Sequence, residues 1–504
     1  MRSIPSVSGW STLPALFAAA RPRDPSTPLL LLPGGGTIGY GEAGQRSAQL
    51  AHALRSHGVG PGERVAVQIE KSPLSVLLYL ACLRTGAVLL PLNTAYTDEE
   101  VGYLLADAEP AVLVRDPGRA GTPKGPAVLS ADASGAGTLA QAAQAQTTVF
   151  DDVAVAPGDV AAMLYTSGTT GRPKGAMLTQ ANLASNAAVL HRVWGFRPDD
   201  VLLHALPVFH THGLFVAINC VLANGTGMVF LPRFDVEVVL AHLGHATVFM
   251  GVPTMYTRLL GDRRLDRAAC AGMRLFVAGS APLLASTHDE FRSRTGHDIL
   301  ERYGMTETTM ITSNPLEGER RPGTVGLPLP DVEVRVTDAE TGTPVPAGGV
   351  GQIEVRGPNV FAGYWKRPEL SVSEFTADGF FRTGDLGSFD AGGYLRIAGR
   401  CKDLVISGGL NVYPVEVEEV LDAVDGVLES AVIGVPHPDL GEAVVAVVTA
   451  EPGRTLDVDD LQERARRRLA PFKVPRQVHV VDALPRNAMG KVEKAKLRAR
   501  FGPT

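Results

Sequence analysis

One short segment, residues 165–175, combines the groups that a phosphate-binding loop needs. It contains three glycines, four Ser or Thr hydroxyls and Lys174. Glycine lets the backbone turn tightly and brings N–H groups close to an anion, while hydroxyls donate to phosphate oxygens and lysine adds charge. An apolar run at residues 160–164 predicts a strand before the segment, and residues 179–183 predict the start of a helix after it. We therefore predict a phosphate cradle between a strand and a helix.

Two other interpretations of this segment are less favoured. A Walker A loop ends in Gly-Lys-Ser or Gly-Lys-Thr, whereas Lys174 is followed by Gly175. The second interpretation is a flexible Ser/Thr/Gly surface loop. The predicted strand before the segment and the lysine within it argue against this interpretation.

Length, charge and cysteine content indicate a large enzyme in a reducing compartment. A chain of 504 residues is too long for one hydrophobic core and predicts two or more domains. A net charge of −6 argues against a nucleic-acid-binding protein, which would normally be basic. The four cysteines, Cys82, Cys220, Cys270 and Cys401, are far apart and form no CxxC pair. Structural zinc and disulfides are therefore not expected. We expect reduced thiols in the cytoplasm instead.

No membrane-spanning segment is expected. The longest apolar stretch, residues 213–231, is interrupted by Asn219, Asn224 and Gly225. The first 24 residues contain arginine and no acid before Asp24, a composition found in transit peptides. However, Thr12 before an apolar run is a helix start signal, so we favour a first helix of the folded domain.

The alternation of helices and short apolar strands predicts an α/β fold. Helical patterns at residues 48–57 and 73–85 alternate with strand patterns at 64–68, 87–92 and 111–114. Such alternation is typical of parallel sheets flanked by helices. Residues 121–146, rich in small and polar residues, are interpreted as a surface excursion.

The second half of the chain predicts a β-rich region and then a small mixed domain. Short strand patterns with turns between them indicate a β-barrel-like subdomain at about residues 322–400. Residues 399–403 are polar and contain glycine, as domain junctions often do. We therefore predict an N-terminal domain of parallel-rich sheets and helices, residues 1–400, and a small α+β C-terminal domain, residues 401–504.

The predicted cradle and five further segments resemble, in the same order, the motifs of the adenylate-forming enzymes. This superfamily includes acyl-CoA synthetases, luciferases and the adenylation domains of peptide synthetases. The five segments are residues 206–213, 301–307, 381–385, 399–409 and 485–491. Each motif alone is weak, but six in order make the resemblance specific, and it covers essentially the whole chain.

The resemblance implies roles for four residues around Mg²⁺ and the α-phosphate of ATP. Thr166 and Glu307 would hold Mg²⁺, which takes one or two carboxylates and phosphate oxygens. Thr306 would contact the α-phosphate, and Lys491 would bridge it to the substrate carboxylate and stabilise the transition state. Taken singly, Glu307 would be interpreted as a solvated helix carboxylate and Lys491 as a surface lysine.

The nucleoside has its own implied set of residues. Asp385 offers two acceptor oxygens to the ribose and is supported by Arg400, although singly it would be interpreted as a turn residue. Tyr303 offers a flat face to adenine. The full set implied to bind ATP is Thr166, Ser167, Gly168, Thr169, Thr170, Lys174, Gly279, Ser280, Ala281, Glu301, Arg302, Tyr303, Gly304, Met305, Thr306, Asp385, Arg400 and Lys491.

Arg258 bears on the choice of acyl substrate. Residues 250–258 run from a predicted strand into a helix that ends in this cation. An arginine facing the acyl pocket would hold a second carboxylate in bidentate geometry, which an apolar tail cannot exploit. Alternatively, Arg258 lies on the exposed helix face and pairs with an acid such as Asp262 at i,i+4. The spacing alone favours neither interpretation of Arg258.

Several stretches resemble the malonyl-CoA synthetases in particular, namely residues 204–215, 251–260, 280–284, 301–310 and 410–414. In that subfamily the arginine that maps to Arg258 binds the distal carboxylate of malonate. The resemblance also implies a small pocket in which Thr211 and Met310 limit bulk on C2. Its implied lining is His210, Thr211, Arg258, Ser280, Met305 and Met310.

The resemblance therefore implies an ATP-dependent malonyl-CoA synthetase. Malonate, ATP and CoA would give malonyl-CoA, AMP and diphosphate through malonyl-AMP, with methylmalonate as a second substrate. A mobile C-terminal domain would rotate about Lys402 between the two steps, and Ser407, Gly408 and Gly409 would border the CoA tunnel. Nucleic acid, membrane and a carrier domain in the same chain are not expected as partners.

Three alternatives stay open. One is an acyl-CoA synthetase for another short-chain, medium-chain or aryl carboxylate. Another is a P-loop-type ATP hydrolase or kinase, which would release ADP in place of AMP. The third is a non-catalytic nucleotide-binding module, against which Glu307, Asp385 and Lys491 argue.

Overall fold

The computed structural model describes residues 12–119, 125–166, 173–407, 410–487 and 490–502. The chain divides into two compact units. The first comprises Met1–Glu333 and Arg356–Phe381, and the second comprises Val334–Val355 and Arg382–Thr504. Much of the β-rich region thus belongs to the same unit as the C-terminal residues, and the predicted domain boundary after residue 400 stays a prediction.

The strands are short and belong to four sheets. In chain order they are β1 (Pro28–Leu31), β2 (Thr37–Gly39), β3 (Arg64–Gln68), β4 (Val88–Pro91), β5 (Val112–Arg115), β6 (Ala127–Ser130), β7 (Val160–Thr166), β8 (Lys174–Thr179), β9 (Val201–His204), β10 (Gly227–Phe230), β11 (Val248–Gly251), β12 (Leu275–Ala278), β13 (Ile299–Met305), β14 (Thr309–Ser313), β15 (Leu327–Pro328), β16 (Glu333–Thr337), β17 (Gly351–Arg356), β18 (Gly363–Tyr364), β19 (Phe381–Phe389), β20 (Leu395–Arg400), β21 (Val405–Ser407), β22 (Leu410–Val412), β23 (Val427–His437), β24 (Gly441–Ala450) and β25 (Gln477–Val480).

Helices connect many of these strands. In chain order they are α1 (Leu13–Ala20), α2 (Tyr40–Ser56), α3 (Pro73–Thr85), α4 (Asp98–Ala108), α5 (Thr138–Gln144), α6 (Gln180–Val193), α7 (Asn219–Asn224), α8 (Val236–His242), α9 (Pro253–Leu260), α10 (Ala285–Thr295), α11 (Pro368–Ser373), α12 (Pro414–Asp422), α13 (Val458–Arg468) and α14 (Lys494–Phe501).

Two large, mostly parallel sheets form the first unit. The strand order of one is β15-β14-β13-β12-β11-β9-β10-β1-β2, with parallel pairing from β13 to β1. The order of the other is β18-β8-β7-β4-β3-β5-β6, with parallel pairing from β7 to β6. Parallel neighbours need long crossover connections, usually helices. The predicted α/β class is confirmed.

The second unit contains two smaller sheets. Their strand orders are β16-β17-β19-β20 and β22-β21-β24-β23, with β25 also paired to β24. Strand β24 is buried on both faces. Val444 and Val448 pack in a cluster with Leu421 and Leu461, whereas Val445 and Val447 pack on the opposite side. Hydrophobic residues at successive positions are what a strand covered on both faces requires, and the mixed α+β class predicted here is confirmed.

Capping residues define the beginnings of several helices. Thr12 is the N-cap of α1, and its Oγ1 accepts a hydrogen bond from Ala15 N at 3.4 Å. The predicted first helix is therefore confirmed. Helix α3 occupies residues 73–85 as predicted, and it ends at Gly86, whose φ of 70° lies in the left-handed region that glycine tolerates.

The connection near the predicted phosphate cradle differs from the expectation. Strand β8 pairs antiparallel with β7, with Thr166 opposite Lys174, and α6 begins only after β8, at the N-cap Thr179. The expected connection directly to a helix is wrong, because β8 follows the segment and pairs with β7. The helix start predicted at residues 179–183 is confirmed, and phosphate binding by the segment stays a prediction. The signal for β8 is the short apolar run at residues 176–178, a pattern typical of a buried strand.

Two further stretches that the sequence analysis discussed, residues 121–146 and 213–231, contain regular elements. The surface excursion at residues 121–146 includes α5 and also β6, which extends the seven-stranded sheet at its edge. The apolar stretch at 213–231 forms a π-helical turn, His212–Ile218, followed by α7 and β10. None of the helices in the described part of the chain is long and apolar enough to cross a membrane.

Candidate active site

Three segments of the predicted site follow the carboxyl ends of parallel strands. Strand β9 ends at His204, β11 ends at Gly251 just before α9, and β12 ends at Ala278. These strands are neighbours in the order β9, β11, β12. In open parallel sheets, ligands bind beyond the carboxyl ends of the strands. The fold thus brings the segments at residues 205–212, 252–258 and 279–281 to one edge of the sheet.

Glu307 is a buried carboxylate in the connection between β13 and β14. Only 5% of it is exposed, so it is not a solvated helix residue. Thr166 Oγ1 donates to its Oε1 at 3.2 Å, and the Tyr364 hydroxyl donates to the same oxygen at 3.1 Å. Burial raises the pKa of Glu307, and these two hydrogen bonds act in the opposite direction. A carboxylate beside a hydroxyl is a set of oxygen donors that suits Mg²⁺.

Lys174 reaches the same cluster through Tyr364 and Glu374, two residues that the sequence did not single out. Its Nζ donates to Glu374 Oε1 at 2.9 Å and lies 4.8 Å from the centre of the Tyr364 ring. The Tyr364 hydroxyl in turn lies 3.1 Å from Glu374 Oε2. Polar contacts therefore connect Lys174 to Glu307. Only the fold shows this connection, because Tyr364 and Glu374 lie outside the six segments that resemble family motifs.

Strand β13 carries predicted ATP-binding residues on both of its faces. Successive side chains of a strand point to opposite faces, so Arg302 faces away from Glu301 and Tyr303. Tyr303 is partly exposed, whereas Glu301 and Arg302 are buried. The other predicted residues of this region are also partly exposed, except for buried Gly279; they are Ser280, Ala281, Gly304, Met305 and Thr306.

Two residues predicted to line the acyl pocket, His210 and Thr211, lie just before the π-helical turn. Thr211 and His212 are buried, as is Met310 on β14, and His210 is partly exposed. Ser280 Oγ lies 3.4 Å from His212 Nδ1 and connects the segments that follow β9 and β12. Turns of the π type are rare and occur frequently at functional sites.

Arg258 is exposed on α9. Within the described residues its side chain makes no hydrogen bond or ion pair, and the i,i+4 pair with Asp262 is not formed. Asp262 is instead bound by Arg264, whose Nη2 lies 2.6 Å from Asp262 Oδ2. The contact of Arg258 with the substrate stays a prediction.

The second unit contains the predicted ribose-binding pair. Asp385 and Arg400 lie opposite each other on β19 and β20, and Arg400 Nε is 3.0 Å from Asp385 Oδ1. Asp385 is buried, and its backbone N–H donates to Thr383 Oγ1 at 3.1 Å. The sheet therefore fixes the backbone at Asp385, and half-exposed Arg400 pairs with the carboxylate.

Lys491 follows a turn that its own backbone helps to close. Asn487 N donates to Lys491 O at 2.9 Å, and Lys491 N donates to Asn487 Oδ1 at 3.1 Å. Arg486 anchors the same turn through Glu429 and Gly490 O. The lysine itself is partly exposed.

The remaining predicted residues divide into two groups. Lys402 is exposed in a short 3-10 turn after β20, and Ser407 is buried at the end of β21. The others lie outside the described residues; they are Ser167, Gly168, Thr169, Thr170, Gly408 and Gly409.

The carboxyl group of Glu301 has an unusually high pKa. Burial raises the pKa of Glu301 to about 8, and its Oε1 has no hydrogen-bond partner within the described residues. A group whose pKa is raised on folding stabilises the folded state below its unfolded pKa and loses that contribution as pH rises through the folded pKa.

We therefore predict that Glu301→Gln flattens the pH dependence of stability. Between about pH 5 and pH 8 the wild-type free energy of unfolding should fall, relative to the variant, by about 1.4 kcal/mol per pH unit. Urea unfolding of both proteins at several pH values measures this difference. Parallel curves for the two proteins would show that Glu301 is ionised in the folded state at neutral pH.

Comparison with known proteins identifies the family. The model of the AMP-binding enzyme family matches residues 17–365, and that of the AMP-binding enzyme C-terminal domain matches residues 416–491. The chain is 37% identical to a feruloyl-CoA synthase of Amycolatopsis sp, over 93% of this chain and 95% of the relative. It is 35% identical to a malonate–CoA ligase of Arabidopsis thaliana, over 87% of this chain and 78% of that relative.

A solved structure is similar over nearly the whole chain. It is the crystal structure of ATP-bound MatB from Rhodopseudomonas palustris, with 50% identity, a TM-score of 0.94, and coverage of 98% of this chain and 99% of that one. The family match extends over more than half of the chain and includes the segments that contain Thr166, Glu307 and Lys491. The chain therefore belongs to the AMP-binding enzyme family.

Proposed function

We propose that this enzyme is an ATP-dependent malonate–CoA ligase. The observation that carries the proposal is the similarity, over most of the chain, to a protein named as a malonate–CoA ligase. Malonate, ATP and CoA would be converted to malonyl-CoA, AMP and diphosphate through malonyl-AMP, and methylmalonate would be a second substrate. In the first unit the polar cluster around Glu307 is suited to hold Mg²⁺. In the second unit the pair of Asp385 with Arg400 is suited to bind hydroxyl groups such as those of ribose.

The first half-reaction is attack of the malonate carboxylate on the α-phosphorus, with diphosphate as the leaving group. In-line phosphoryl transfer depends on positioning and on neutralisation of charge more than on acid–base groups. Glu307 and Thr166 would hold Mg²⁺, which would neutralise charge on the phosphate oxygens. Lys174 would bind the leaving phosphates, and Lys491 would stabilise negative charge on the carboxylate and the α-phosphate.

In the second half-reaction the CoA thiol displaces AMP from malonyl-AMP. Lys491 has no role in that step, so the C-terminal residues can move away by rotation about Lys402. Ser407, Gly408 and Gly409 would then border the pantetheine tunnel. We further propose a cytoplasmic location, in keeping with the free thiols of all four cysteines.

Another acyl-CoA synthetase activity is the second candidate. The similarity to a feruloyl-CoA synthase is as high as that to the malonate–CoA ligase of Arabidopsis thaliana. An aryl acid has no second carboxylate, so it would leave a cation in the acyl pocket without a partner. A substrate panel separates the two candidates.

The proposal is tested by AMP formation with malonate, methylmalonate, hexanoate, benzoate and ferulate. We expect AMP and diphosphate with malonate, a lower rate with methylmalonate, and little product with the three acids that lack a second carboxylate. A preference for ferulate or benzoate would identify an aryl-CoA ligase. Release of ADP in place of AMP would identify a phosphohydrolase or kinase.

Glu307→Gln should strongly weaken Mg²⁺-dependent turnover while leaving the fold intact. The amide keeps the shape of the side chain but loses the charge that a hard cation requires. Initial rates are measured against Mg²⁺ concentration, and circular dichroism serves as the control for folding. Near-normal turnover at low Mg²⁺ would remove Glu307 from the metal site.

Lys491→Ala should abolish the formation of malonyl-AMP yet leave the second half-reaction largely intact. The reason is that the lysine acts only in the first half-reaction, on negative charge at the carboxylate and the α-phosphate. The variant is supplied either with malonate and ATP or with synthetic malonyl-AMP and CoA, and malonyl-CoA is quantified in both cases. If the second reaction fails as badly as the first, the mechanism in which Lys491 acts only in the first half-reaction is incorrect for this chain.

A further inference from the structure

Lys71 is a buried lysine that has no acidic partner. It lies between β3 and α3, just beyond the carboxyl end of a strand of the seven-stranded sheet, and only 9% of it is exposed. Within the part of the chain that the structure describes, no carboxylate pairs with it. Burial lowers the pKa of the Lys71 amine well below its usual range. Lysines are almost never buried unless they are paired, so the other contacts of Lys71 must account for its position.

Those contacts are with the last residues of two strands in the nine-stranded sheet. Lys71 Nζ lies 2.7 Å from His204 Nδ1 and donates to His204 O at 2.9 Å. It also lies 4.4 Å from the centre of the Phe230 ring, which favours a cation. His204 ends β9, and Phe230 ends β10 directly opposite it. Lys71 therefore connects the carboxyl ends of strands that belong to the two large sheets of the first unit.

The hydrogen bonds of His204 define its tautomer. Its Nε2 lies 2.8 Å from Gly213 O, and a carbonyl oxygen only accepts, so Nε2 carries a proton. Burial and the charge of Lys71 lower the pKa of His204 well below its usual range, so the ring is neutral at pH 7. Nδ1 is then an acceptor, and Lys71 is its donor. Hydrogen bonds thus run in one direction, from Lys71 through the His204 ring to Gly213 O.

The bond from His204 closes the segment at residues 205–212. This segment begins after His204 and ends at Gly213, whose carbonyl oxygen accepts from the His204 ring. A Cβ atom on Gly213 would lie 2.0 Å from Pro207 O, so only glycine permits the close approach of the two ends. The closed segment contains two of the residues predicted to line the acyl pocket, His210 and Thr211. The place of these side chains relative to the sheet therefore depends on the orientation of one histidine ring.

We propose that Lys71 and His204 are positioning residues that fix the segment at residues 205–212 and thereby set the selectivity of the acyl pocket. They act through the segment and do not touch the substrate. Without a donor at Nδ1, either nitrogen of the His204 ring can carry the proton, and the bond to Gly213 O is no longer enforced. Lys71 supplies that donor from the other sheet. This inference rests on the proposed function for the location of the acyl pocket.

Lys71→Met removes the donor and keeps an unbranched side chain. The KM for malonate should rise about 10-fold, as expected when one buried hydrogen bond is lost. The KM for ATP should not change, because the predicted nucleotide contacts lie in other segments. The ratio of kcat/KM for methylmalonate to that for malonate should also change, since Thr211, predicted to limit bulk on C2, moves with the segment. Neither a KM nor this ratio depends on the fraction of enzyme that is folded.

Two substitutions of His204 test the direction of the hydrogen bonds. The amide nitrogen of glutamine can take the place of Nε2 and donate to Gly213 O, whereas asparagine offers a polar atom near Nδ1 and does not reach Gly213. His204→Gln should therefore keep a lower KM for malonate than His204→Asn. This comparison leaves Lys71 in place and also applies if Lys71→Met does not fold. A lower KM for His204→Asn would overturn the inference.

Lys366→Met is the matched control for the loss of a lysine. Lys366 Nζ also donates to a main-chain oxygen, Asp107 O, at 2.9 Å, and it lies 5.8 Å from the centre of the Trp365 ring. It has no contact with the segment at residues 205–212. We expect the wild-type KM for malonate and the wild-type ratio of the two acids. The same changes in Lys366→Met as in Lys71→Met would contradict a specific role of Lys71.

Failure of this inference is distinguishable from failure of the proposed function. The substrate panel identifies the acid that the wild type uses, and the variants are then measured with that acid. If the wild type prefers ferulate, the proposed function is wrong, yet the KM for ferulate should still rise in Lys71→Met. Unchanged KM values and acid ratios in Lys71→Met and His204→Asn would overturn the inference. A parallel fall of kcat with every acid, at unchanged KM, would mean that the pair only supports the fold.

Discussion

The cost of burying charge is the constraint on which the site of the first unit depends. In a low-dielectric interior each charged group needs an opposite charge or several hydrogen bonds. Glu307 is supplied with hydroxyl donors, and Lys174 is supplied with Glu374. Arg302 is the exception, because its free donors have no partner in the described part of the chain. The unsatisfied charge thus lies beside the edge of the sheet at which ligands bind in folds of this class.

The Tyr364 hydroxyl couples two carboxylates of this site. It has a single proton, yet it lies 3.1 Å from an oxygen of Glu307 and 3.1 Å from an oxygen of Glu374. Only one carboxylate at a time can receive that proton fully. The charge of Glu374 also contributes to the raised pKa of Glu307. A cation that neutralises Glu307 would therefore favour donation of the Tyr364 proton to Glu374, the residue that also accepts from Lys174.

Local sequence patterns predicted the regular elements better than the polar contacts of the site. Helix α3 and strand β3 were predicted at their observed bounds, because hydrophobic periodicity and capping residues are local signals. Strand β8 was missed, since a three-residue apolar run is too short to stand out. Tyr364 and Glu374 could not be predicted, because their contacts with Glu307 and Lys174 join distant parts of the chain. Arg302 belongs to the segment at residues 301–307 that the resemblance identified, but its burial is visible only in the fold.

Strand β13 separates the partly exposed Tyr303 from the buried Arg302. Tyr303, predicted to contact adenine, and Arg302 lie on opposite faces, so a substitution at position 302 alters one face and leaves the other in place. Such a change does not stand alone, however. Gly279 has no side chain where the guanidinium lies, so a smaller residue at 302 would leave a cavity unless position 279 became larger. The effects of substitutions at the two positions on stability are therefore expected to be non-additive in double-mutant cycles.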